Sequence, residues 1–147
     1  MSRENVETVR RYLEAYNAAD AKQVVADVST VWDPDGDYYP ARKFPDSQPC
    51  HGHDEIAAFH ASYLDAWDQL ELSLDQLIPV GDDRVLVLMS MVGEGRESGL
   101  SLDGPLYQCC WLRHGRFFRV EDHLTLSGAL HALGLKGDTL EAVGLSE

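Results

Sequence analysis

The side chain best suited to acid/base chemistry is Asp122, near the end of the last apolar segment. His114-Gly115 is a candidate two-residue hairpin turn, because glycine, and histidine more than most residues, tolerates positive φ. If Arg113 pairs with Arg116, counting outward places Asp122 opposite Tyr107. A carboxylate on an apolar face is desolvated, which raises its pKa toward neutrality and suits it to proton transfer.

The same counting divides the hairpin into two faces. One face carries mainly apolar residues, namely Tyr107, Cys109, Trp111, Phe118, Val120, Asp122 and Leu124. The other carries Leu106, Gln108, Cys110, Phe117, Arg119, Glu121 and His123. We expect the first face to pack against the helices and to form a pocket wall that includes Cys109, Trp111 and Val120.

A second group of functional side chains lies in the stretch from 33 to 53, DPDGDYYPARKFPDSQPCHGH. Its four prolines restrict the backbone at several points. The adjacent tyrosines 38 and 39 point opposite ways in a strand, so at most one of them lines a pocket. We expect this stretch to form the wall or rim of the pocket, with Tyr39, Arg42 and His51 orienting a ligand beside Trp32.

Metal and thiol chemistry are not predicted. His51 and His53 invite a metal interpretation, yet a His-x-His pair lacks a complete ligand set, so no metal site and no cofactor are expected. The cysteines are odd in number, and a bridge between Cys109 and Cys110 would distort a strand. We expect reduced thiols that pack as small core residues.

Apolar periodicity predicts three helices before the strands. The first begins near Ser2, the second follows Asp20, and the third begins at Gly52 or His53. Their apolar faces carry Val6, Val9, Tyr12, Leu13 and Tyr16 in the first, Val24, Val25 and Val28 in the second, and Ile56, His60, Tyr63 and Trp67 in the third. Between the second and third helices we expect at most one short strand, Asp37 to Tyr39.

From Leu70 onward the apolar period changes from 3.6 to 2, which predicts strands. A turn at Gly81-Asp82-Asp83 leads into Val85 to Val92, which is apolar on both faces and therefore covered on both sides, by the helices and by a second subunit. A further strand, 100 to 112, is interrupted near Gly104-Pro105. Arg116 to Leu124 forms the last strand, and a short helix from about Ser127 to Leu133 ends at Gly134.

Length and charge limit the classes of function. The 147 residues make one domain, long enough to bury a core without disulfides. The net charge of −13 repels phosphate backbones and anionic membranes, so neither nucleic acid nor a membrane is an expected partner. The chain has no long apolar run and a polar N-terminus, from which we expect a cytoplasmic location.

Several segments resemble one superfamily across nearly the whole chain. ENVETVRRYLEAYNAADAKQVV is similar to its first two helices, DPDGDYYP to its first strand, CHGHDEI to the start of its third helix and WLRHGRFFRVEDHLTLSGALHALGL to its last hairpin and tail. The chain therefore resembles the nuclear transport factor 2-like superfamily, and its SnoaL-like and ketosteroid isomerase-like members in particular. The resemblance implies an α+β fold in which a strongly curved, cone-shaped antiparallel sheet wraps around three N-terminal helices, followed by a short C-terminal helix.

The resemblance also implies site residues. The oxyanion-hole tyrosine of ketosteroid isomerases matches Tyr12, whereas their general-base aspartate falls on Tyr39 and their neutral aspartate at or near Cys109. An isomerase that uses those two aspartates is therefore disfavoured. SnoaL-like cyclases use an aspartate deep in the sheet, a role that Asp122 can fill.

Three functional hypotheses follow. The first is a dimeric, cofactor-free enzyme with a hydrophobic pocket, in which Asp122 moves a proton of a small cyclic or polyketide-like molecule while Tyr12 and Tyr107 stabilise an oxyanion. Its dimer would form through the open face of the sheet. The second hypothesis is a binding module without catalysis. The third is an epoxide hydrolase-like enzyme in which Asp37, Arg42 and Asp122 hold a water.

Overall fold

The computed structural model describes residues 2–17, 21–41, 48–95 and 101–136. The elements in chain order are α1 (Ser2–Asn17), α2 (Ala21–Val31), β1 (Trp32–Tyr39), β2 (Cys50–His51), α3 (Gly52–Ala66), β3 (Trp67–Val80), β4 (Arg84–Gly95), β5 (Ser101–Arg113), β6 (Arg116–His123) and α4 (Leu126–Ala132). The six strands form one curved, unclosed sheet in the order β2-β1-β6-β5-β4-β3. The predicted α+β fold class is confirmed.

All neighbouring strands are antiparallel except β1 and β6, which run parallel. The sheet is therefore mixed, whereas the sequence analysis expected an antiparallel one. The difference comes from β1, which begins at Trp32 directly after α2 and is longer than the predicted strand from Asp37 to Tyr39. Its pairing with β6 brings Tyr38 opposite Val120.

The three N-terminal helices bury the apolar stripes expected from their spacing. Val9, Leu13 and Tyr12 of α1, Val24 and Val28 of α2, and Ile56 of α3 belong to one core cluster with the concave face of the sheet. Trp67 was assigned to the third helix but begins β3, where it pairs with Gly95. The helix ends one residue earlier, at Ala66, because the chain there adopts the strand pairing that continues to Val80.

The strand β5 runs through Gly104 and Pro105 without interruption, contrary to the prediction. Pro105 pairs with Ser90 of β4, at a position beyond the end of β6, whose His123 is opposite Tyr107. The other side of β5 is therefore an edge at this point, where the missing N–H of proline is tolerated.

The last hairpin has the predicted turn but a different register. His114 and Gly115 have φ values of 54° and 75°, and Arg113 pairs with Arg116. A bulge then follows between Trp111 and Leu112, so that Leu112 pairs with Phe117 and Trp111 with Arg119. Phe118 is the additional residue, and every later pair is displaced by one position from the count of the sequence analysis.

A second core cluster lies on the outer face of the sheet, where α4 packs. Ala129, Leu130 and Leu133 contact Leu86 and Cys109, together with Ile78 and Val80. A second subunit was expected to cover the outer face of β4, but α4 covers Leu86 within the same chain. None of the described helices is long and apolar enough to cross a membrane.

Candidate functional site

A cavity lies between the helices and the concave face of the sheet. It has a volume of about 40 Å³, which is room for about three water molecules. Its wall is predominantly aromatic and aliphatic, with a few polar groups, and consists of Tyr12, Leu13, Trp32, Tyr38, Phe59, His60, Leu72, Met89, Met91, Leu106, Gln108, Phe117, Val120 and Asp122.

One set of polar side chains surrounds the only buried carboxylate of the described residues, and we call it the carboxylate cluster: Asp122, Tyr38 and Gln108. Asp122 is 8% exposed. The Tyr38 hydroxyl donates a hydrogen bond to its Oδ2, and Gln108 Nε2 donates to its Oδ1 over 2.8 Å. Burial raises the pKa of Asp122 to about 6, although both hydrogen bonds act in the opposite direction. A carboxyl with this pKa can take up and return a proton near neutral pH.

A second set of polar side chains, the hydroxyl cluster, consists of Tyr12, His60 and Trp32. The Tyr12 hydroxyl is hydrogen-bonded to Nε2 of His60 and accepts a hydrogen bond from Trp32 Nε1 over 3.3 Å. Burial lowers the pKa of His60 to about 3 and raises the pKa of Tyr12 well above its usual value. Both groups are therefore neutral around neutral pH, and they can donate hydrogen bonds but do not ionise.

The two clusters contact each other through aromatic rings. The Tyr38 and His60 rings stack with centroids 5.8 Å apart and an interplanar angle of 29°. The negative charge of Asp122 also contributes to the raised pKa of Tyr12. A ligand in the cavity would thus meet a carboxylate and a hydroxyl, separated by apolar walls.

Tyr12, Trp32, Val120 and Asp122, singled out in the sequence, line this cavity. Tyr107, Cys109 and Trp111 do not, and their predicted place beside Asp122 is wrong. The bulge after Trp111 pairs Asp122 with Gln108 instead of Tyr107, so Leu106, Gln108 and Cys110 take the concave face. The three predicted residues therefore lie on the outer face, where they pack in the cluster of α4.

Tyr39 also lies away from the cavity, and its neighbour Tyr38 takes the inward position. The Tyr39 ring packs under the Arg119 guanidinium, 4.7 Å from the ring centroid, and Arg119 also lies over the Trp111 ring at 5.4 Å. Arg119 forms an ion pair with Glu121. Tyr39, Arg119 and Glu121 line an open groove of about 520 Å³, whose wall also includes Asp122.

His51, another predicted rim residue, does not line the cavity. The His51 side chain is 64% exposed, and its Nδ1 lies 2.6 Å from Oδ1 of Asp37. The imidazole of His53 is hydrogen-bonded to the Trp32 carbonyl oxygen over 2.7 Å. Arg42 lies outside the described residues.

The epoxide hydrolase hypothesis placed Asp37 and Asp122 around one water. Asp37 and Tyr38 are consecutive in β1 and point to opposite faces of the sheet. Because Tyr38 contacts Asp122, Asp37 faces the other side, where it pairs with His51. The two acids therefore do not share a site.

The described residues contain no group of three or more His, Cys, Asp or Glu side chains placed to bind a metal ion. All three cysteines are buried free thiols. Burial raises the pKa of Cys109 to about 12 and that of Cys110 well above its usual value. Because the thiolate is the nucleophilic form, both residues are poor nucleophiles.

Tyr38, Gln108 and His60 were not among the predicted site residues. Alternation along β1 identified Tyr38 and Tyr39 as alternatives, and the family alignment favoured the wrong one. His60 was placed on the apolar stripe of α3, which is where it lies. A polar residue on such a stripe facing Tyr12 of α1 is the signal that could have assigned it to the pocket.

Helices closing the concave face of a curved sheet over a small pocket define the class of nuclear transport factor 2-like proteins. The model of the SnoaL-like domain family matches residues 9–124, and the chain belongs to this family. The resemblance stated from the sequence is thereby confirmed. A comparison with curated protein sequences gave no match.

Solved structures share the fold at low identity. An NTF2-like protein from Burkholderia pseudomallei is 24% identical, with a TM-score of 0.70 over 89% of this chain and 97% of that one. A candidate SnoaL-like polyketide cyclase from Jannaschia sp. CCS1 is 18% identical, with a TM-score of 0.69 over 93% and 96%. A protein of ketosteroid isomerase-like fold from Catenulispora acidiphila, solved with trimethylamine, is 17% identical, with a TM-score of 0.67 over 90% and 96%.

Proposed function

We propose that this protein is a cofactor-free acid/base enzyme that moves a proton on a small, largely hydrophobic molecule, in the manner of an isomerase, cyclase or dehydratase. The observation that carries the proposal is the buried Asp122 carboxyl on the cavity wall, whose pKa is raised to about 6. A structural carboxylate in this position would be costly, whereas a proton-transfer group benefits from a pKa near the working pH.

In the proposed reaction, a carboxylate oxygen of Asp122 removes a proton from a carbon beside a substrate carbonyl. The C–H electron pair moves into the carbonyl system and negative charge develops on its oxygen, where the Tyr12 hydroxyl donates a hydrogen bond. Asp122, now protonated, returns the proton at the same or another carbon. Tyr38 and Gln108 keep the carboxyl group in place throughout.

The wall of the cavity favours a neutral substrate. The described lining residues include neither Arg nor Lys, and the neutral His60 cannot balance an anion. The cavity of about 40 Å³ is smaller than a ring compound. Met89 and Met91 on its wall have flexible thioether side chains, and their rearrangement would admit a cyclic or polyketide-like ligand.

The proposal is tested by proton exchange. The protein is incubated in D₂O with a panel of small ketones, from acetone to cyclohexanone and cyclohexenone, and deuterium incorporation beside the carbonyl is followed by NMR. Asp122→Asn should slow the catalysed exchange by a factor of about 10²–10⁴, because it removes the base. Glu121→Gln, which changes the neighbouring acid on the outer face, should retain the exchange.

Circular dichroism and thermal unfolding of the variant show whether its fold is intact. If folded Asp122→Asn catalyses exchange at an unchanged rate, Asp122 is not the base. If the unmodified protein catalyses deuterium exchange in none of the ketones, the second hypothesis, a binding module without catalysis, is favoured.

One observation supports that second hypothesis. The side chains of Trp32, Tyr12 and Tyr38 occupy much of the space between helices and sheet, and Trp32 is 1% exposed. A cavity that side chains fill in this way leaves little room for a substrate, which favours a role without catalysis. Native mass spectrometry of the freshly purified protein, with and without organic extraction, would reveal a ligand carried from the expression host.

We also propose that the protein forms a homodimer through the part of the outer sheet face that α4 leaves open. Val92 is 50% exposed and Leu124 is 41% exposed, and Tyr107 and Trp111 are only half-buried. We infer that these side chains, at the border of the α4 cluster, form a contiguous apolar patch, which is the kind of surface that marks a protein contact. Sedimentation equilibrium of the protein and of Val92→Glu would test the dimer, which the charge should weaken.

A further inference from the structure

We propose that the open groove beside Arg119 binds the part of the substrate that the cavity cannot hold, and that Arg119 selects a neutral substrate with an oxygen atom remote from the reacting carbon. The inference rests on the proposed function, because it extends the site of Asp122. It adds a substrate-binding region and a specificity-determining residue to the small cavity.

The cavity and the groove differ in size and share one residue. The cavity has a volume of about 40 Å³, and the groove has a volume of about 520 Å³. Pockets that bind small molecules have volumes of about 300–1,000 Å³, so the groove has room for a substrate with several rings. Asp122 belongs to the walls of both. A molecule lying in the groove can therefore place one end beside this carboxyl group.

The groove reaches Asp122 because β1 is shorter than β6 at this end of the sheet. Tyr39, the last residue of β1, pairs with Glu121 of β6. The strand β6 continues to His123, so Asp122 lies beyond the last of the described pairs between the two strands. Pro40, which follows β1 and is no longer part of it, lines the groove as well. The groove thus lies where the edge of β6 gives the outer face access to Asp122.

Arg119 is held in place in the wall of the groove. Its guanidinium lies 4.7 Å from the ring centroid of Tyr39 and 5.4 Å from that of Trp111. Its Nε donates to Oε2 of Glu121 over 2.7 Å, and its Nη2 lies 2.5 Å from the same oxygen. A guanidinium has five N–H donors, and these two contacts use two of them. The side chain is 43% exposed, so the remaining donors are accessible to a ligand.

The charges around Arg119 favour an uncharged ligand. Glu121 balances the charge of the guanidinium, and its Oε1 lies 3.1 Å from Nε2 of His123. Asp122 adds a second carboxylate, because its pKa of about 6 leaves it largely ionised at pH 7. An anionic ligand group would meet two carboxylates and one guanidinium, which disfavours it. A hydroxyl or carbonyl oxygen can accept a hydrogen bond from Arg119 without this penalty.

The spacing along β6 limits the size of the substrate. Arg119 and Asp122 are three residues apart in this strand, and a strand rises by about 3.3 Å per residue, so their Cα atoms are separated by about 10 Å. The expected substrate is therefore a neutral molecule of two or three rings. One end carries the reacting carbon, and the other end carries a hydroxyl or carbonyl oxygen.

The matched ligands for the test are 4-phenylcyclohexanone and 4-(4-hydroxyphenyl)cyclohexanone, which differ in one hydroxyl group at the end remote from the ketone. Isothermal titration calorimetry of the unmodified protein should show about tenfold tighter binding of the hydroxylated ketone, the effect of one hydrogen bond to a charged group. In Arg119→Met this preference should fall close to one.

Arg113→Met is the matched control and should retain the preference. Arg113 is also paired with an acid, Asp33, and also lies over an aromatic ring, that of Phe118, but it is not part of the groove wall. A preference that persists in Arg119→Met, or that Arg113→Met loses to the same extent, would overturn the role of Arg119. Equal affinity for the two ketones in the unmodified protein, including no binding of either, would also overturn it.

Asp122→Asn separates this inference from the proposed function. That variant should lose proton exchange but retain the preference for the hydroxylated ketone, because the hydrogen bond from Arg119 does not involve the carboxyl group. Conversely, the small ketones of the exchange test carry no remote oxygen, so their exchange does not report on the groove. If exchange persists in Asp122→Asn, the base is wrong, while the preference still decides the role of Arg119.

A further measurement needs no variant. In the complex of the unmodified protein with 4-(4-hydroxyphenyl)cyclohexanone, intermolecular NOEs should connect the protons of the hydroxyphenyl ring with the side chains of Pro40 and Arg119. NOEs from this ring to Phe59 or Leu72 in the cavity wall instead would place the whole molecule in the cavity and contradict the proposal.

Discussion

Burial and hydrogen bonding act on the pKa of Asp122 in opposite directions, and their balance sets its protonation state near neutral pH. Burial raises the pKa, while the hydrogen bonds from Tyr38 and Gln108 lower it, with a result of about 6. Without the two donors the pKa of the carboxyl would be higher still, and a smaller fraction of it would be ionised at neutral pH. With them it is largely ionised at pH 7 and remains basic enough to accept a proton.

This balance predicts the effect of Tyr38→Phe. Loss of its hydrogen bond removes about 1 kcal/mol of stabilisation from the carboxylate, so the pKa of Asp122 should rise by about 0.7. The acidic limb of the pH profile of proton exchange should therefore move to higher pH by that amount. Tyr39→Phe, one residue away on the outer face, is the control, and an equal displacement in both variants would contradict the assignment.

At the scale of the elements, the sequence was most informative where one periodicity applied over a whole segment. The helical stripes of α1, α2 and α3 and the His114-Gly115 turn were all predicted. The bulge at Phe118 was not predicted, because no glycine or proline marks its position in the sequence. Its position depends on which of the two adjacent phenylalanines, Phe117 or Phe118, packs in the core. The predicted site was consequently correct only in part: Asp122 and Tyr12 line the cavity, whereas Tyr107 lies on the other face of the sheet.

The start of β1 was missed for a similar reason. Trp32 ends the apolar stripe of α2 and could not be distinguished from a helical residue by spacing, although it is the first residue of a strand. The choice between Tyr38 and Tyr39 therefore rested on the family resemblance, which favoured Tyr39. Only the parallel pairing with β6, a contact distant in sequence, settles it.

The phenylalanine pair offers a test of the bulge. Phe117 is 1% exposed in the core, whereas Phe118 is half-buried on the outer face under the Arg113 guanidinium. Phe117→Ala should therefore reduce the free energy of unfolding by about 3–5 kcal/mol, the usual range for a buried phenylalanine. Phe118→Ala should cost less than about half of that.

Urea unfolding of both variants measures this difference. The reverse order, with Phe118→Ala the more destabilising, would indicate the regular hairpin register without the bulge. It would also return Tyr107 to the face of Asp122.

At the scale of the whole molecule, two buried titratable groups give the stability opposite dependences on pH. The pKa of Asp122 is raised from 3.8 to about 6, so its contribution is fully present below pH 4 and is lost as the pH rises to about 6. The pKa of His60 is lowered from 6.5 to about 3, so its contribution is present above pH 6.5 and is lost as the pH falls. Between pH 4 and 6 the two slopes oppose each other.

Asp122→Asn should reveal this opposition. The shift of Asp122 corresponds to about 3 kcal/mol at pH 7, a cost that the variant does not carry. The stability of the variant relative to the unmodified protein should therefore increase by about 3 kcal/mol between pH 4 and pH 7, while the remaining carboxylates cancel in the comparison. Chemical unfolding of both proteins across this range measures it, and parallel curves would contradict the raised pKa.

Asp122 is a buried carboxyl on the cavity wall, and its raised pKa suits it to proton transfer. NMR titration of the side-chain carboxyl carbons in ¹³C-labelled protein, with Asp122 assigned by its absence from the spectrum of Asp122→Asn, tests it most directly. We predict a midpoint for Asp122 near pH 6, about two units above the ordinary aspartate value. A midpoint near pH 4 would show a solvated or fully compensated carboxylate and would contradict the account.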